Sequence, residues 1–161
     1  MCLATRSPRA GCSARDPSLS GGRTVFFIGF VTAPRIDDHG RSYAEGELTA
    51  GEHQERFRSD LRVWHRNEYK SQWKQGVARL LAAAQSSALV TSFGGAGSEL
   101  RIIPLWREGG TVQVGEGRVI SESLPESFDP GSIYDRVDEL VAPTVKRQLP
   151  LGELTAFAID D

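Results

Sequence analysis

The stretch Asn67 to Ala84, "NEYKSQWKQGVARLLAAA", decides what kind of domain this chain forms. Tyr69, Trp73, Val77, Leu80, Leu81 and Ala84 follow the i, i+4, i+8, i+11, i+12, i+15 spacing of one apolar stripe. At 3.6 residues per turn that spacing lies on one side of an α-helix. Asn67, Lys70, Ser71, Lys74 and Ala78 fall on the opposite side. Gly76 sits in the interior, where glycine costs about 1 kcal/mol relative to alanine. The helix is therefore expected to depend on what it packs against. Two aromatic rings in the stripe would supply that packing, since each buries about 150–250 Å².

On either side of the helix the sequence reads as strand. "SALVTSF" (Ser87 to Phe93) is a short apolar run, and a loop with Gly94, Gly95 and Gly97 follows it. "ELRIIPLWR" and "TVQVGEGRVI" then flank a Glu108-Gly109-Gly110 turn, which is a hairpin signal. Ile102, Pro104 and Trp106 alternate with Ile103, Leu105 and Arg107, so this strand is expected to be buried on both faces. Pro104 has no N–H to donate and should lie in a bulge or where no ladder neighbour faces it. Because proline also blunts an edge, the hairpin is expected to mark the limit of the sheet.

N-terminal to the helix, "TVFFIGFV" (Thr24 to Val31) is apolar on both faces and reads as a central strand. "APRIDDHGRS" is a turn-rich connection. "SYAEGELT" and "EHQERFRS" read as two further strands, mostly solvent-facing, completing an antiparallel meander. Beyond Ile120 the acidic segment "SLPESFDPGSIYDRVDELVAP" predicts one helical turn around Ile133 to Leu140. "TVKRQLP" reads as a last strand and "LGELTAF" as a short helix. Strands, one long helix, then strands again predict an α+β class: a mostly antiparallel sheet with one long amphipathic helix packed on it. The sheet would combine the N-terminal meander and the C-terminal hairpin.

A chain of 161 residues, 39% hydrophobic and 25% charged, suits a single soluble globular domain. Met1 to Gly22 is rich in Ser, Pro, Gly and Arg without apolar period, and reads as a disordered basic tail before one domain over 23–161. Arg6, Arg9, Arg15 and Arg23 against Asp16 give residues 1–23 a charge of +3; the whole chain is −2, so residues 24–161 carry −5. Both cysteines, Cys2 and Cys12, lie in the tail. That excludes a disulfide framework or a cysteine zinc site from the domain and favours a reducing, cytoplasmic setting. The run at Thr24 to Val31 is far too short to span a bilayer, so no membrane association is expected.

Catalytic chemistry finds little support. The glycines after Phe93 lead into a strand and not a helix, and no Lys-Ser/Thr pair follows, so they make a connection and not a phosphate loop. His53 and Glu55 would share a strand face, with His39 and Asp37 in the preceding loop. None shows the i, i+4 or H-E-x-x-H spacing of a metal site. There is no G-x-S-x-G and no cysteine to act as nucleophile. The residues thus imply no catalytic group, no metal and no cofactor. A small enzyme or metal- or ligand-binding domain using the His39, His53 and Glu55 region stands as the alternative, and a regulatory subunit that oligomerises through a sheet edge as a third.

Charge carries more. Between Glu108 and Glu139 stand eight acids, Glu108, Glu116, Glu122, Glu126, Asp129, Asp135, Asp138 and Glu139, against two bases, Arg118 and Arg136. Asp37, Asp38, Glu45, Glu47, Glu52 and Glu55 add to them from the meander. Such a surface either solubilises the domain or meets a basic protein partner. Direct nucleic acid binding is disfavoured, because the domain would repel phosphate. Tyr69 and Trp73 are assigned to the core; Trp64 and Trp106 fit either core or interface.

The order of these segments resembles a known family. "RIDDHGR", the F-x-S-x-L-x-x-W of Phe57 to Trp64, "EYKSQWKQGVARLL", "SALVTSF", "PLWREGGTV" and "SFDP" are similar to the immunity proteins of bacterial contact-dependent growth inhibition and related polymorphic-toxin systems. Ile103 stands where that family has an aromatic, and Gly115 and Glu116 where it has a polar pair. The resemblance implies a non-enzymatic cytoplasmic protein that binds and blocks a cognate toxin domain, often a nuclease. The acids from Glu108 to Glu139 would then be the toxin-binding residues.

Overall fold

In the computed structural model, which describes residues 26–95, 99–120, 129–141 and 145–159, the apolar stripe forms helix α1 (Arg66–Leu81). The tail read as disordered, 1–22, lies outside the described residues. Tyr69, Trp73, Val77 and Leu80 are fully buried, while Asn67, Lys70, Ser71 and Ala78 face solvent. The Glu68 carboxylate closes the first turn by accepting from the His65 N–H at 3.1 Å. The helix stops short of Ala84. Ala83 takes φ +88°, its N–H bonds the Leu80 carbonyl at 3.2 Å, and the Ala84 N–H bonds the Arg79 carbonyl at 3.0 Å. This is the crossed pair of a Schellman closure, with alanine where glycine would carry no steric cost. Ala83→Gly is expected to raise stability by about 1 kcal/mol, seen as a higher urea midpoint; an unchanged or lower midpoint would count against this ending.

Two antiparallel sheets flank the helix, where the sequence pattern implied one. The first contains β1 (Phe26–Phe30), β2 (Arg35–Ile36), β3 (Ser42–Ala50) and β4 (His53–Asp60). β3 pairs with β1 and β2 on one side and with β4 on the other, so the meander is present. β3 is not mostly solvent-facing: Ala44, Leu48 and Ala50 are wholly buried in a period-two pattern. β1 is an edge strand and not a central one. Its second apolar face is not covered: Phe27 is 42% and Val31 49% exposed, and the Phe27 ring lies across Gly29, where no Cβ displaces it.

The second sheet contains β5 (Ser86–Phe93), β6 (Leu100–Glu108), β7 (Thr111–Gly115), β8 (Arg118–Ile120) and β9 (Val145–Pro150). Its order is β5-β6-β7-β9, with β8 also beside β6. Between β8 and β9 come a 3-10 turn (Pro130–Arg136) and α2 (Val137–Leu140), and the chain continues into α3 (Glu153–Ile159). Phe157 on α3 packs edge-to-face on Phe26, with ring centroids 5.6 Å apart.

β6 is buried on both faces from Ile102 to Trp106, as its composition predicts. It is interior, however, and the sheet continues past the hairpin to β9, so the hairpin does not mark its limit. Pro104 pairs with Ala88 on the β5 side. On the other side β7 stops at the Leu105–Val114 pair and β8 begins at Ile102–Arg118. Pro104 falls in the gap, where no ladder donor is needed, and "TVQVGEGRVI" is two strands and not one because it breaks opposite the proline. Gly115 leaves room for the ring: a Cβ there would lie 2.6 Å from Pro104 Cγ.

α1 lies along the outer edge of β5 and satisfies backbone groups that a further strand would otherwise take. Gln72 donates through Nε2 to the Ala88 carbonyl at 2.9 Å and accepts through Oε1 from the Val90 N–H at 2.8 Å. Trp73 Nε1 donates to the Val90 carbonyl at 2.7 Å. The Tyr69 hydroxyl accepts from the Phe93 N–H at 2.9 Å and donates to the Asp60 carbonyl at 2.6 Å. Gly76 is the point of closest approach, since a Cβ there would meet the Ala88 carbonyl oxygen at 2.8 Å. Beyond the edge, Trp73 packs at a tilt on Phe30 at 5.0 Å and meets Phe57 at 5.8 Å, both in the first sheet, so the helix joins both sheets in one core.

Burial is the main cause that raises the Tyr69 hydroxyl from 10.0 to about 12. The folded state thus favours the neutral phenol. That contribution is complete below pH 10 and disappears as pH climbs through 12, a loss of about 3 kcal/mol. Urea midpoints should therefore fall steeply between those values. Tyr69→Phe should flatten the fall to the part due to Tyr134, which burial shifts in the same direction; an identical profile would show that Tyr69 does not titrate with unfolding.

Candidate interaction surface

The acids between Glu108 and Glu139 divide by what holds them. Glu108 ends β6 on the exposed hairpin and accepts from Gln113 Nε2. Asp138 is committed to the fold: its Oδ1 accepts from Trp106 Nε1 at 3.0 Å and its Oδ2 from Ser86 Oγ at 3.2 Å. This bond also places Trp106 in the core, 9% exposed. Trp64 is half-buried against Tyr69 and Phe93. Glu139 has a side chain 72% exposed, 3.6 Å from Arg136. Trp106 and Glu108 share a face of β6, so Glu108, Asp138 and Glu139 gather at the hairpin end of the second sheet. Glu116 is exposed on the turn between β7 and β8, and Asp129 is exposed ahead of the 3-10 turn. Glu122, Glu126 and the side chain of Asp135 lie outside the described residues.

Three acids of the meander, Asp37, Glu47 and Glu55, have partners within the fold. Glu47 meets Arg56 across β3 and β4 at 3.4 Å, and Asp37 meets Arg58 at 2.9 Å. Glu55 accepts from the Gly117 N–H at 3.2 Å and lies 3.5 Å from His53. His39 is in the turn whose Asp37 bonds Arg58, toward the far end of β4 from His53. The structure does not bring the two histidines together, and no group of His, Cys, Asp or Glu able to hold a metal occurs among the described residues.

A cleft of about 580 Å³ opens between the sheets where the ends of β4 and β5 meet. The Ser59 hydroxyl bonds the Thr91 carbonyl there, and the Asp60 N–H donates to Ser92 Oγ at 3.1 Å. On one wall Asp37 accepts the His39 and Arg41 N–H groups, each at 2.9 Å, and Arg58 Nη2 at 2.9 Å. The Arg58 guanidinium lies 3.5 Å above the Tyr43 ring. The Arg41 N–H is the main cause holding Asp37 below its ordinary range. Burial is the largest influence and would raise Asp60, but the Arg62 guanidinium and N–H, with the Arg41 charge, together outweigh it and leave that carboxyl lowered as well. Arg101 and Glu99 close the other wall, 3.8 Å apart. Sequence reasoning missed this cleft, because its charges come from separate segments with no shared spacing. The one available signal was Asp37-Asp38-His39-Gly40, whose turn chemistry predicts an aspartate that bonds the backbone after it.

Fold and surface together define a two-sheet α+β domain whose distinctive chemistry is surface charge. Residues 59–146 match the family model described as the CdiI N-terminal domain, and the chain belongs to that family, the immunity proteins of contact-dependent growth inhibition. The match runs from the end of β4 through α1 and the Pro104 hairpin into β9. The chain also shares its fold with a solved structure titled "CdiA-CT/CdiI toxin and immunity complex from Enterobacter cloacae". The TM-score is 0.68 at 17% identity, over 83% of this chain and 96% of that one. No curated protein matches the sequence. Among the described residues no helix is long and apolar enough to cross a membrane.

Proposed function

We propose that this chain binds a cognate toxin domain and neutralises it by stoichiometric occupation, as a binding protein and not an enzyme, in the cytoplasm. Membership of the immunity family is the observation that carries this reading. Residues 23–161 would form its one domain, with 1–22 an appended basic tail. The toxin would be basic, as a nuclease that grips phosphate is, and nucleic acid would not be a direct ligand. Five described acids of the segment are exposed, Glu108, Glu116, Asp129, Asp138 and Glu139, of which Asp138 is held by Trp106 and Ser86. Glu122, Glu126, Asp135 and Asp138 belong to the same acidic run. Opposite charge on the partner accelerates encounter and discourages wrong partners.

The test uses the tagged chain and the toxin domain encoded beside it. Glu108→Lys with Glu139→Lys should slow association about tenfold at low salt, the difference shrinking as ionic strength rises. Equal association rates for variant and wild type at low salt would remove the acidic surface from the account. Failure of every neighbouring toxin domain to bind wild type would remove the function itself.

A further inference from the structure

The cleft between the sheets differs in sign from the body around it. Residues 24–161 carry −5, yet Arg41, Arg58, Arg62 and Arg101 line the cleft against Asp37, Asp60 and Glu99. Two of those carboxylates are consumed within the fold. Asp37 accepts two backbone N–H groups and Arg58, and Asp60 accepts the Arg62 N–H and guanidinium. Two of the cations are not. The Arg41 charge acts through space on Asp60, but among the described residues no hydrogen bond or ion pair engages its guanidinium. Arg101 stands 3.8 Å from Glu99, beyond hydrogen-bond reach, and both of those side chains are more than half exposed. The cleft therefore offers unspent guanidinium N–H donors, beside Arg58 and Arg62, which are already fixed.

We propose that this cleft is the docking site for an aspartate or glutamate side chain of the toxin domain, with Arg41 and Arg101 as the guanidinium forks that take it. The inference rests on the toxin-binding reading. A guanidinium presents a planar fork matched to a carboxylate, and an incoming carboxylate would displace the loosely held Glu99. A nucleic acid would bring many phosphates against a −5 body, whereas a toxin side chain brings one charge. The cleft lies at the Leu100 end of β6 and the acids Glu108, Asp138 and Glu139 gather at the Glu108 end, roughly 25 Å away at strand rise. The two contacts thus differ in place and sign: the acidic end attracts a basic toxin, and the cleft rejects toxins that lack the matching acid.

Calorimetric titration of the toxin domain with wild type, Arg41→Glu/Arg101→Glu and Arg41→Gln/Arg101→Gln tests this. Circular dichroism melts would confirm that each variant is folded. The charge-reversed variant should bind roughly 100-fold more weakly and the neutral one roughly tenfold. An Asp/Glu→Arg scan of the toxin surface should find one position whose variant binds the charge-reversed chain better than wild-type toxin does. If a folded charge-reversed variant binds within about threefold of wild type, the inference falls while the toxin-binding reading stands. Should wild type bind no toxin domain at all, both fall. Loss of affinity for a single-stranded RNA oligonucleotide with toxin binding intact would overturn the inference in favour of a nucleic acid site.

Discussion

Replacing Trp73 with alanine is expected to lower the unfolding free energy by about 3–5 kcal/mol. The ring is 1% exposed and packs on two aromatic rings of the first sheet, Phe30 at 5.0 Å and Phe57 at 5.8 Å, while its indole N–H reaches β5 of the second. Its indole N–H also satisfies the Val90 carbonyl, which truncation would leave without a partner. Against a total stability of about 5–15 kcal/mol, the loss is a large fraction. Urea unfolding should show a lower midpoint at unchanged slope. Trp73→Phe keeps most of the ring contact and should recover more than half of the loss. A truncation costing under about 1 kcal/mol would mean that α1 is not seated between the sheets.

The second large effect is at Gln72, a polar side chain buried on the same helix. Gln72→Leu preserves approximate size but removes the donor to the Ala88 carbonyl and the acceptor for the Val90 N–H. It also removes the bond to the Tyr134 hydroxyl at 3.0 Å. Leaving such groups unpaired in the interior costs about 1–3 kcal/mol each, so a net loss of about 2–4 kcal/mol is expected. Amide hydrogen exchange gives a more local check, because the Val90 N–H should lose protection in the variant before the β6–β7 pairs do. Wild-type protection at Val90 would show that the amide is shielded by something other than Gln72.

These two residues also show how far the sequence could be read. The Tyr69, Trp73, Val77 and Leu80 stripe is periodic, and the structure buries each of them. Gln72 and Gly76 form a second line on the same helix at i, i+4 spacing, with Leu80 completing it. Hydrophobic periodicity passes over that line, because glutamine is polar and glycine has no side chain. Yet a strand edge needs a side chain with a donor and an acceptor, and it needs a close approach. Pro104 was legible for a related reason: the missing N–H had to face a gap, and the gap lies between β7 and β8. Its place inside the sheet was not legible, since proline usually sits at edges. β1 misled in the opposite direction, because Phe27 makes both faces apolar while lying over Gly29 at an edge. The acidic segment was plain in composition, but only the structure shows that Asp138, exposed like Glu108 and Glu139, is bound to Trp106 and Ser86. Of the arginine cleft only the Asp37 turn was legible, because Arg41, Arg58 and Arg101 come from separate segments that the folded sheets bring to one place.

If the chain neutralises a toxin by occupying it, purified wild-type protein should titrate the activity of a toxin domain encoded beside it. Activity should fall in proportion to added protein and reach background at one equivalent. Full toxin activity in the presence of a large excess of the folded chain would contradict neutralisation by occupation.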